Sequence, residues 1–538
     1  MLKPNPFFHA TPYANRRARF LLIILFLSLT AWLGALTFGK VNPATAHAAV
    51  DAAWLYSTYV GGDGSDKGKG IAVDNAGNMY IIGETGSDNF LGSGLSISGF
   101  SDIFVAKFNP AGTSLLYLTL IGSTDTDTPL SIQVDGQGNV YATALVFADD
   151  FPTQNALWSS RPHHSHNAAL FKLNSSGDLV YSTYLPLNVF DSRHNLAVDG
   201  AGNAFVTGSS FQDDMSNQIG LLKISPNGSQ LLLEKYVGGV DSEKGTAVTL
   251  DPGGNIYLTG TTEGGDAFPV TANAHQPVCG DIFYNRRDFC FQDGVVVVLN
   301  PAGQVTYSSH HGGSFSDEPQ AIATDGQGNI LIAGNTASGK FPLVQALQPT
   351  CPLDPSTGDC NSLRGFVSLI HLDNSAATLT YSTYLGSTEA NSTNVVMGAA
   401  MDSSGQATVI GYTNGRSFPT ANPVQSQLAE SFCTTFGSQR LCFDAFIATF
   451  SPTGSLSFGT YLGGGFDEFP YGLALKSGNI FVTGLTKAND FPVTNNAFQP
   501  VNQIGDDAFM VKVGSGSTPP PPPPPSGDYL VYLPIIIR

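Results

Sequence analysis

Charge is scarce in this chain, and positive charge is scarcest. Only 12% of its 538 residues are Asp, Glu, Lys or Arg, roughly half the usual share. The 24 basic residues face 42 acids, several of the bases fall within the first twenty positions, and the formal net charge is −18. A polyanion would meet repulsion over most of such a surface, so nucleic acid is not an expected partner. Cysteine and histidine are also sparse, at six and ten. No Cys-x-x-Cys is present, which removes the usual zinc spacing. The one histidine cluster, His163, His164 and His166, has no cysteine or carboxylate at ligand spacing and reads as a solvated loop.

Apolar runs of membrane-spanning length are likewise missing, with one exception. Arg16, Arg17 and Arg19 precede the run FLLIILFLSLTAWLGAL (20–36), and Ala44-Thr45-Ala46 follows as a cleavage motif. Residues 1–48 therefore read as a signal peptide, with an uncleaved anchor as the alternative. An extracellular or cell-surface location is expected, touching a membrane only through this segment if it is retained. The six cysteines agree with export. Cys279 and Cys290, Cys351 and Cys360, and Cys433 and Cys442 stand nine to eleven positions apart in three separate loops. Three local disulfides in an oxidising space are predicted.

What is abundant is glycine, at 60, and proline, at 33, both scattered along the chain. Many short strands joined by tight turns have this composition. A chain of this length is too large for one ordinary core, so several domains or a repeat are expected. Self-comparison finds the repeat. An apolar strand, Asp-x-x-Gly-Asn and an alternating strand occur at IAVDNAGNMYIIG (71–83), IQVDGQGNVYATA (132–144), LAVDGAGNAFVTG (196–208), VTLDPGGNIYLTG (248–260), IATDGQGNILIAG (322–334) and AAMDSSGQATVIG (399–411), with a shortened copy at GLALKSGNIFVTG (472–484). The Asp can cap the turn and the Gly can take positive φ, so each copy predicts a β-hairpin. A third strand follows each hairpin, for example IFVAKFN (103–109) and VVVVLN (295–300); the latter is apolar on both faces and predicts burial between two sheets. Four third strands end in Asn-Pro-x-Gly or Ser-Pro-x-Gly, and a fourth strand of the YSTYLGG type comes next, as at 56–62, 381–387 and 458–464.

Spacings of 52 to 77 residues between the repeated aspartates suit one four-stranded blade. The fold predicted is all-β, a seven-bladed β-propeller of four-stranded antiparallel blades over residues 49–514. Its first strand, an outermost strand without a blade, is expected to pair with Phe509–Val513 in the last blade. A Gly/Ser/Pro-rich linker (515–527) and an apolar tail (528–538) follow, the tail serving for attachment or as a plain edge strand or disordered end. A monomer is expected.

The combination YSTYLGG, GIAVDxxGNVYVTG, Phe-Pro-Thr and DAFVAKLNPxG resembles the bacterial SBBP (beta-propeller) repeat family, over about residues 54–514. The order of motifs also resembles NHL-type blades. That resemblance implies that the IAVD strand lines the central channel and the YSTY strand is outermost. It implies no shared catalytic set.

Candidate sites gather on one face. Eight residues before each repeated turn position stand Asp66, Asp127, Asp191, Glu243, Asp317, Asn394 and Glu468, six of them acids. They read either as a ring binding a cation or basic ligand, or as carboxylates that cap the connection between outer and inner strands. No cofactor motif is present, and calcium is the one ion such a ring suggests. Arg193 and His194, beside Asp191, sit in a loop expected to open beside the channel. His310 and His311 replace Tyr-Leu in an outermost strand, where exposure is expected. The same face should carry the cysteine loops and the Phe-Pro segments at Phe151, Phe268, Phe341, Phe418 and Phe491. The function expected is non-enzymatic presentation of loops to a protein, glycan or surface. The alternative is a propeller enzyme of lyase or glycosidase type at the channel mouth, which fold alone cannot license.

Overall fold

The computed structural model describes residues 54–514 and 535–537, apart from 163–167, 190–192, 211–216, 281–290, 374–375, 436–437 and positions 240 and 504. Residues 1–48, read above as a signal peptide or anchor, the Gly/Ser/Pro-rich segment 515–527, the histidine cluster, Asp191 and Cys290 lie outside the described residues. The described strands form seven sheets of four or five strands and one two-stranded hairpin. Each of the seven larger sheets is a blade whose strands, apart from a strand from the chain's N-terminal part in blade seven and one from its tail in blade one, follow one another in sequence and pair antiparallel. Blade one runs through Asp66–Val73, Met79–Thr85, Asp102–Phe108 and Leu115–Ile121. The inner strands of blades two and four to seven begin at Asp127, Glu243, Asp317, Asn394 and Glu468.

The ring closes as its sequence requires. Strand Trp54–Val60 pairs antiparallel with Asp507–Val513, with Tyr56 opposite Lys512 and Tyr59 opposite Phe509. It completes blade seven, whose other strands come from the chain's far end. The closure removes the two sheet edges that an open fan would expose.

Local chemistry repeats with the blades. In blade one Asp74 Oδ1 accepts from the backbone N–H groups of Ala76 and Asn78, both at 2.9 Å, and Oδ2 accepts from Asn78 Nδ2 at 2.7 Å and the Tyr80 hydroxyl at 3.0 Å. Burial would raise the Asp74 carboxyl, but the Asn78 donors win and hold it below its ordinary value. Gly77 in that turn has φ of +85°, which a side chain would strain. A bulge interrupts six inner strands two residues after their first, as between Gly68 and Gly70 or Pro319 and Ala321.

The outer strands are less exposed than their position suggests, because the Phe-Pro segments fold back over them. Phe151, Phe268, Phe341, Phe418 and Phe491 are all buried. Short bridges join Gln154 to Ser182, Val344 to Ser382 and Gln425 to Tyr461. The second tyrosine of YSTY fixes the fold-back. Tyr461 Oη donates to Gly415 O at 2.9 Å and accepts from Phe418 N at 3.1 Å, and Tyr59 does the same with Ala488 O and Phe491 N. The Phe-Pro segments are thus edge covers rather than displayed loops. The expectation that His310 and His311 are exposed is corrected for the same reason. Both are fully buried under the segment that starts at Phe268, where His311 Nε2 lies 2.9 Å from Ser368 Oγ and Nδ1 lies 3.1 Å from His275 Nε2. Burial holds His275 down at about 4 and His311 well below its ordinary value, so both stay neutral.

Blade one has no Phe-Pro segment. Its outer strand is met instead by Ile535–Ile537, which pairs in parallel with Thr119–Ile121. Of the readings open for the tail, the edge strand is the one these three residues adopt. Disulfides join Cys351 to Cys360 and Cys433 to Cys442. Cys279 is also disulfide-bonded, and no described cysteine is free. Loops this short contribute about 2 to 3 kcal/mol each on a chain-entropy account.

Tyr461→Phe should destabilise the propeller by about 1 to 3 kcal/mol, because it leaves Gly415 O and Phe418 N buried without their partner. Thermal unfolding checks this; an unchanged transition would show that the tyrosine does not anchor the segment.

Candidate functional site

The described members of the periodic set occupy equivalent places. Asp66, Asp127, Glu243, Asp317, Asn394 and Glu468 each start an inner strand, and all are buried. Each binds the connection behind it. Asp66 Oδ2 accepts from Gly62 N at 2.7 Å and Ser87 Oγ at 2.8 Å. Asp127 accepts from Ser123 N at 2.6 Å, Asp317 from Gly313 N at 2.6 Å, and Glu468 from Gly464 N at 3.1 Å. Glu243 accepts from Gly239 N and Thr262 Oγ1, at 3.1 and 3.0 Å. Asn394 keeps the geometry without the charge, its Oδ1 accepting from Ser387 N at 2.7 Å.

Sequence reading missed a second acidic set at the start of the third strands, Asp102, Asp293, Asp444 and Asp507. The Asp that heads DIFVAK, DGVVVV, DAFIAT and DAFMVK was the available signal. The two sets meet at the glycines that end two outer strands, Gly312 and Gly463. A Cβ on Gly463 would lie 2.5 Å from Glu468 Oε2 and 2.9 Å from Asp444 Oδ1. A Cβ on Gly312 would lie 2.7 Å from Asp293 Oδ1 and 2.9 Å from Asp317 Oδ2. The Gly-Gly of the repeat is therefore needed where carboxylates of adjacent blades converge. Where Asn394 replaces the inner acid, the third strand of the preceding blade begins with Arg364 instead of Asp. Arg364 Nη1 and Asn394 Nδ2 both reach Ser392 Oγ, at 3.1 and 3.2 Å.

Burial pushes Asp127, Asp317 and Asp507 up to about 7 and Asp444 to about 8, with a nearby carboxylate adding to each rise: Asp102 for Asp127, Asp359 for Asp317, Asp66 for Asp507 and Asp490 for Asp444. Burial likewise lifts Glu243 to about 7, and Glu468 stands well above its ordinary value.

Blade three breaks the pattern. Its inner strand is only Leu196–Val198, and Pro186 stands where other blades have glycine. The chain before that strand does more than open beside the channel. His194 O accepts from Val248 N in blade four at 2.9 Å, while His194 Nε2 lies 3.3 Å from Met397 O in blade six. A Cβ on Gly398 would come within 2.8 Å of His194 Nε2, so blade six keeps a glycine there. Burial holds the imidazole down at about 4, hence neutral.

Arg193 shares a cavity of about 240 Å³ with inner-strand residues of blades seven, one and two, including Lys69, Ser131, Gln133 and Tyr471. Its guanidinium lies 5.1 Å from the Tyr471 ring centroid, and Lys69 Nζ lies 4.9 Å from the same ring. Lys69 Nζ is 3.7 Å from Glu84 Oε2, while Lys67 pairs with Glu84 Oε1 and Thr128 Oγ1 donates to Oε2 at 3.1 Å. Burial would raise Glu84, but Lys69 and Lys67 hold it below its ordinary value. The sequence flagged Arg193 and His194 but not Lys69, Glu84 or Tyr471, which come from other blades.

Among the described residues, Cys433, Cys442 and Asp467 bring metal-type ligand atoms within 4.8 Å of one another. The two sulfurs are bonded to each other, which leaves no thiolate for a metal. Thirteen large apolar side chains are exposed among the described residues, and ten of them lie in second-to-third strand loops or outer-to-inner connections. Phe100, Phe432, Phe466 and Val501 are each more than half exposed.

The beta-propeller repeat family SBBP matches residues 55–90 and 311–342. No match was found among curated proteins. Solved structures with a similar fold include the Neurospora crassa Pan2 WD40 domain, at 11% identity over 84% of this chain and 90% of that one, with a TM-score of 0.38. An ulvan lyase of polysaccharide lyase family PL25 is 10% identical over 86% of this chain and 95% of its own, with a TM-score of 0.40. A putative 6-phosphogluconolactonase from Bacteroides uniformis is 9% identical over 76% of this chain and 94% of its own, with a TM-score of 0.39. Similarity this low carries no argument about activity. Among the described residues no helix is long and apolar enough to cross a membrane.

The buried acids predict a pH dependence with a definite sign. Each has a folded pKa above its unfolded value near 4, so its contribution is complete below that value and is lost as pH rises through about 7 to 8. Thermal stability should fall between pH 5 and pH 9, each deprotonating group adding a slope of about 1.4 kcal/mol per pH unit at most. A stability that rises over that interval would contradict protonated acids at the blade interfaces.

Proposed function

We propose, for a chain built on SBBP beta-propeller repeats, that it is an exported, non-enzymatic propeller whose loop face binds a protein, a glycan or a cell surface. One observation carries the reading: exposed apolar side chains are concentrated in the loops of a single face. Loops on a rigid scaffold are common carriers of binding residues. Exposed aromatics beyond ordinary surface composition favour a partner. The Cys351–Cys360 and Cys433–Cys442 bridges sit in these loops and limit the entropy lost on docking. They also suit an oxidising location outside the cytoplasm.

The opposite face is built differently. Its Asp-x-x-Gly-Asn and Asn-Pro-x-Gly turns are short and saturate their own hydrogen bonds, as Asp135 does through Gln137 N, Asn139 N and Asn139 Nδ2. Catalysis at the channel is the second reading. The break in blade three favours it, but the residues that line the cavity include no carboxylate among those described. A paired acid and base of glycosidase type would need two.

A glycan and protein binding screen on residues 47–514 identifies the partner. Truncating the hairpin loop between Cys433 and Cys442 should then weaken binding at least about tenfold, while Asp325→Ala in the opposite turn should leave it unchanged. The reverse ranking in folded variants would place the binding site on the turn face.

A further inference from the structure

We infer that the cavity in the central channel is a binding site for a small hydroxylated carboxylic acid, held by Arg193 and Lys69. Its charge is opposite to that of the molecule. The chain is acidic overall at −18, yet Lys67 and Lys69 gather beside one carboxylate, Glu84, and Arg193 shares the Tyr471 ring with Lys69. Glu84 is already engaged by Lys67, Lys69 and Thr128. Among the described residues Arg193 has no carboxylate within ion-pair distance; its contacts are the Tyr471 ring and Met397 Sδ at 3.8 Å. A guanidinium with no counter-ion among the described residues, at the wall of a cavity, favours an anion, and its planar fork suits a carboxylate held by two hydrogen bonds.

Shape and lining narrow the ligand further. A volume of about 240 Å³ is below the ~300–1,000 Å³ of pockets for drug-sized ligands, so the occupant is about the size of a monosaccharide acid. Among the described residues, the inner strands of blades seven, one and two that line the cavity pair only with the second strands of their own blades, so their other edges turn backbone N–H and C=O groups to the channel. Together with Ser131 and Gln133, these edges give a hydroxylated body donors and acceptors. His194, which lines the cavity, reaches from blade three to Met397 O in blade six. The departure from sevenfold repetition therefore falls where Arg193 enters the cavity. Repeat proteins depart from their pattern most readily at functional positions.

The site is independent of the loop-face partner and is tested separately. Titration calorimetry with glucuronate on the full propeller should show saturable binding, with glucose at least about tenfold weaker. Arg193→Met and Lys69→Met should each weaken glucuronate binding at least about tenfold, while loss of the Cys433–Cys442 loop should not change it. Lys69→Met carries the test if Arg193→Met does not fold. No saturable binding of glucuronate, equal binding of glucose, or indifference to the substitutions would overturn the site. Tighter binding of inorganic phosphate than of glucuronate would overturn the carboxylate assignment.

Discussion

The structure depends on the pairing of Trp54–Val60 with Asp507–Val513. Seven blades built in sequence order leave one outer strand missing at the end of the ring and one spare strand at its start. An open fan would expose both edges, and exposed edges invite association. Closure turns neighbouring blades into mutual cover. Side chains such as Val295, Val296 and Val297, on alternating faces of one strand, are then all fully buried. The same edge problem recurs at the rim and is solved locally. The Phe-Pro segments cover the outer strands of most blades, and Ile535–Ile537 covers blade one.

Closure also brings chains of acids together. At the connections that begin at Gly312 and Gly463, the carboxylate of one blade lies beside that of the next, with a glycine between them. Hydrogen bonds from loop amides and hydroxyls hold both oxygens of Glu243 and Glu468 and one oxygen of Asp127 and Asp317. The remaining oxygens of Asp127 and Asp317 are buried without a partner, which is consistent with carboxyls that keep a proton near neutrality. Arg364 opposite Asn394 shows the rule by its exception: where one acid is exchanged for a base, the other is exchanged for an amide.

Much of this was legible in the sequence. The Asp-x-x-Gly-Asn copies mark hairpins because Asp and Gly each answer a backbone requirement, and counting them gives seven blades. The spare strand at Trp54 predicted the closure, and close spacing predicted that Cys351 joins Cys360 and Cys433 joins Cys442. What sequence could not supply was contact between blades. The burial of His310 and His311 depends on a segment about forty residues upstream folding over them. Lys69, Tyr471 and Arg193 meet only because the ring brings blades one, seven and three around one axis. Eight residues of spacing located the inner acids but gave no hint of the facing set at Asp444 and Asp507.

Native-state hydrogen exchange on residues 54–60 and 507–513 tests the central claim directly. If the first strand is the structural closure of the ring, its paired amides open only with the blade that it completes, and both segments show the same high protection. Rapid exchange of 54–60 beside a protected 507–513 would contradict the account, since the ring would then hold without its closing strand.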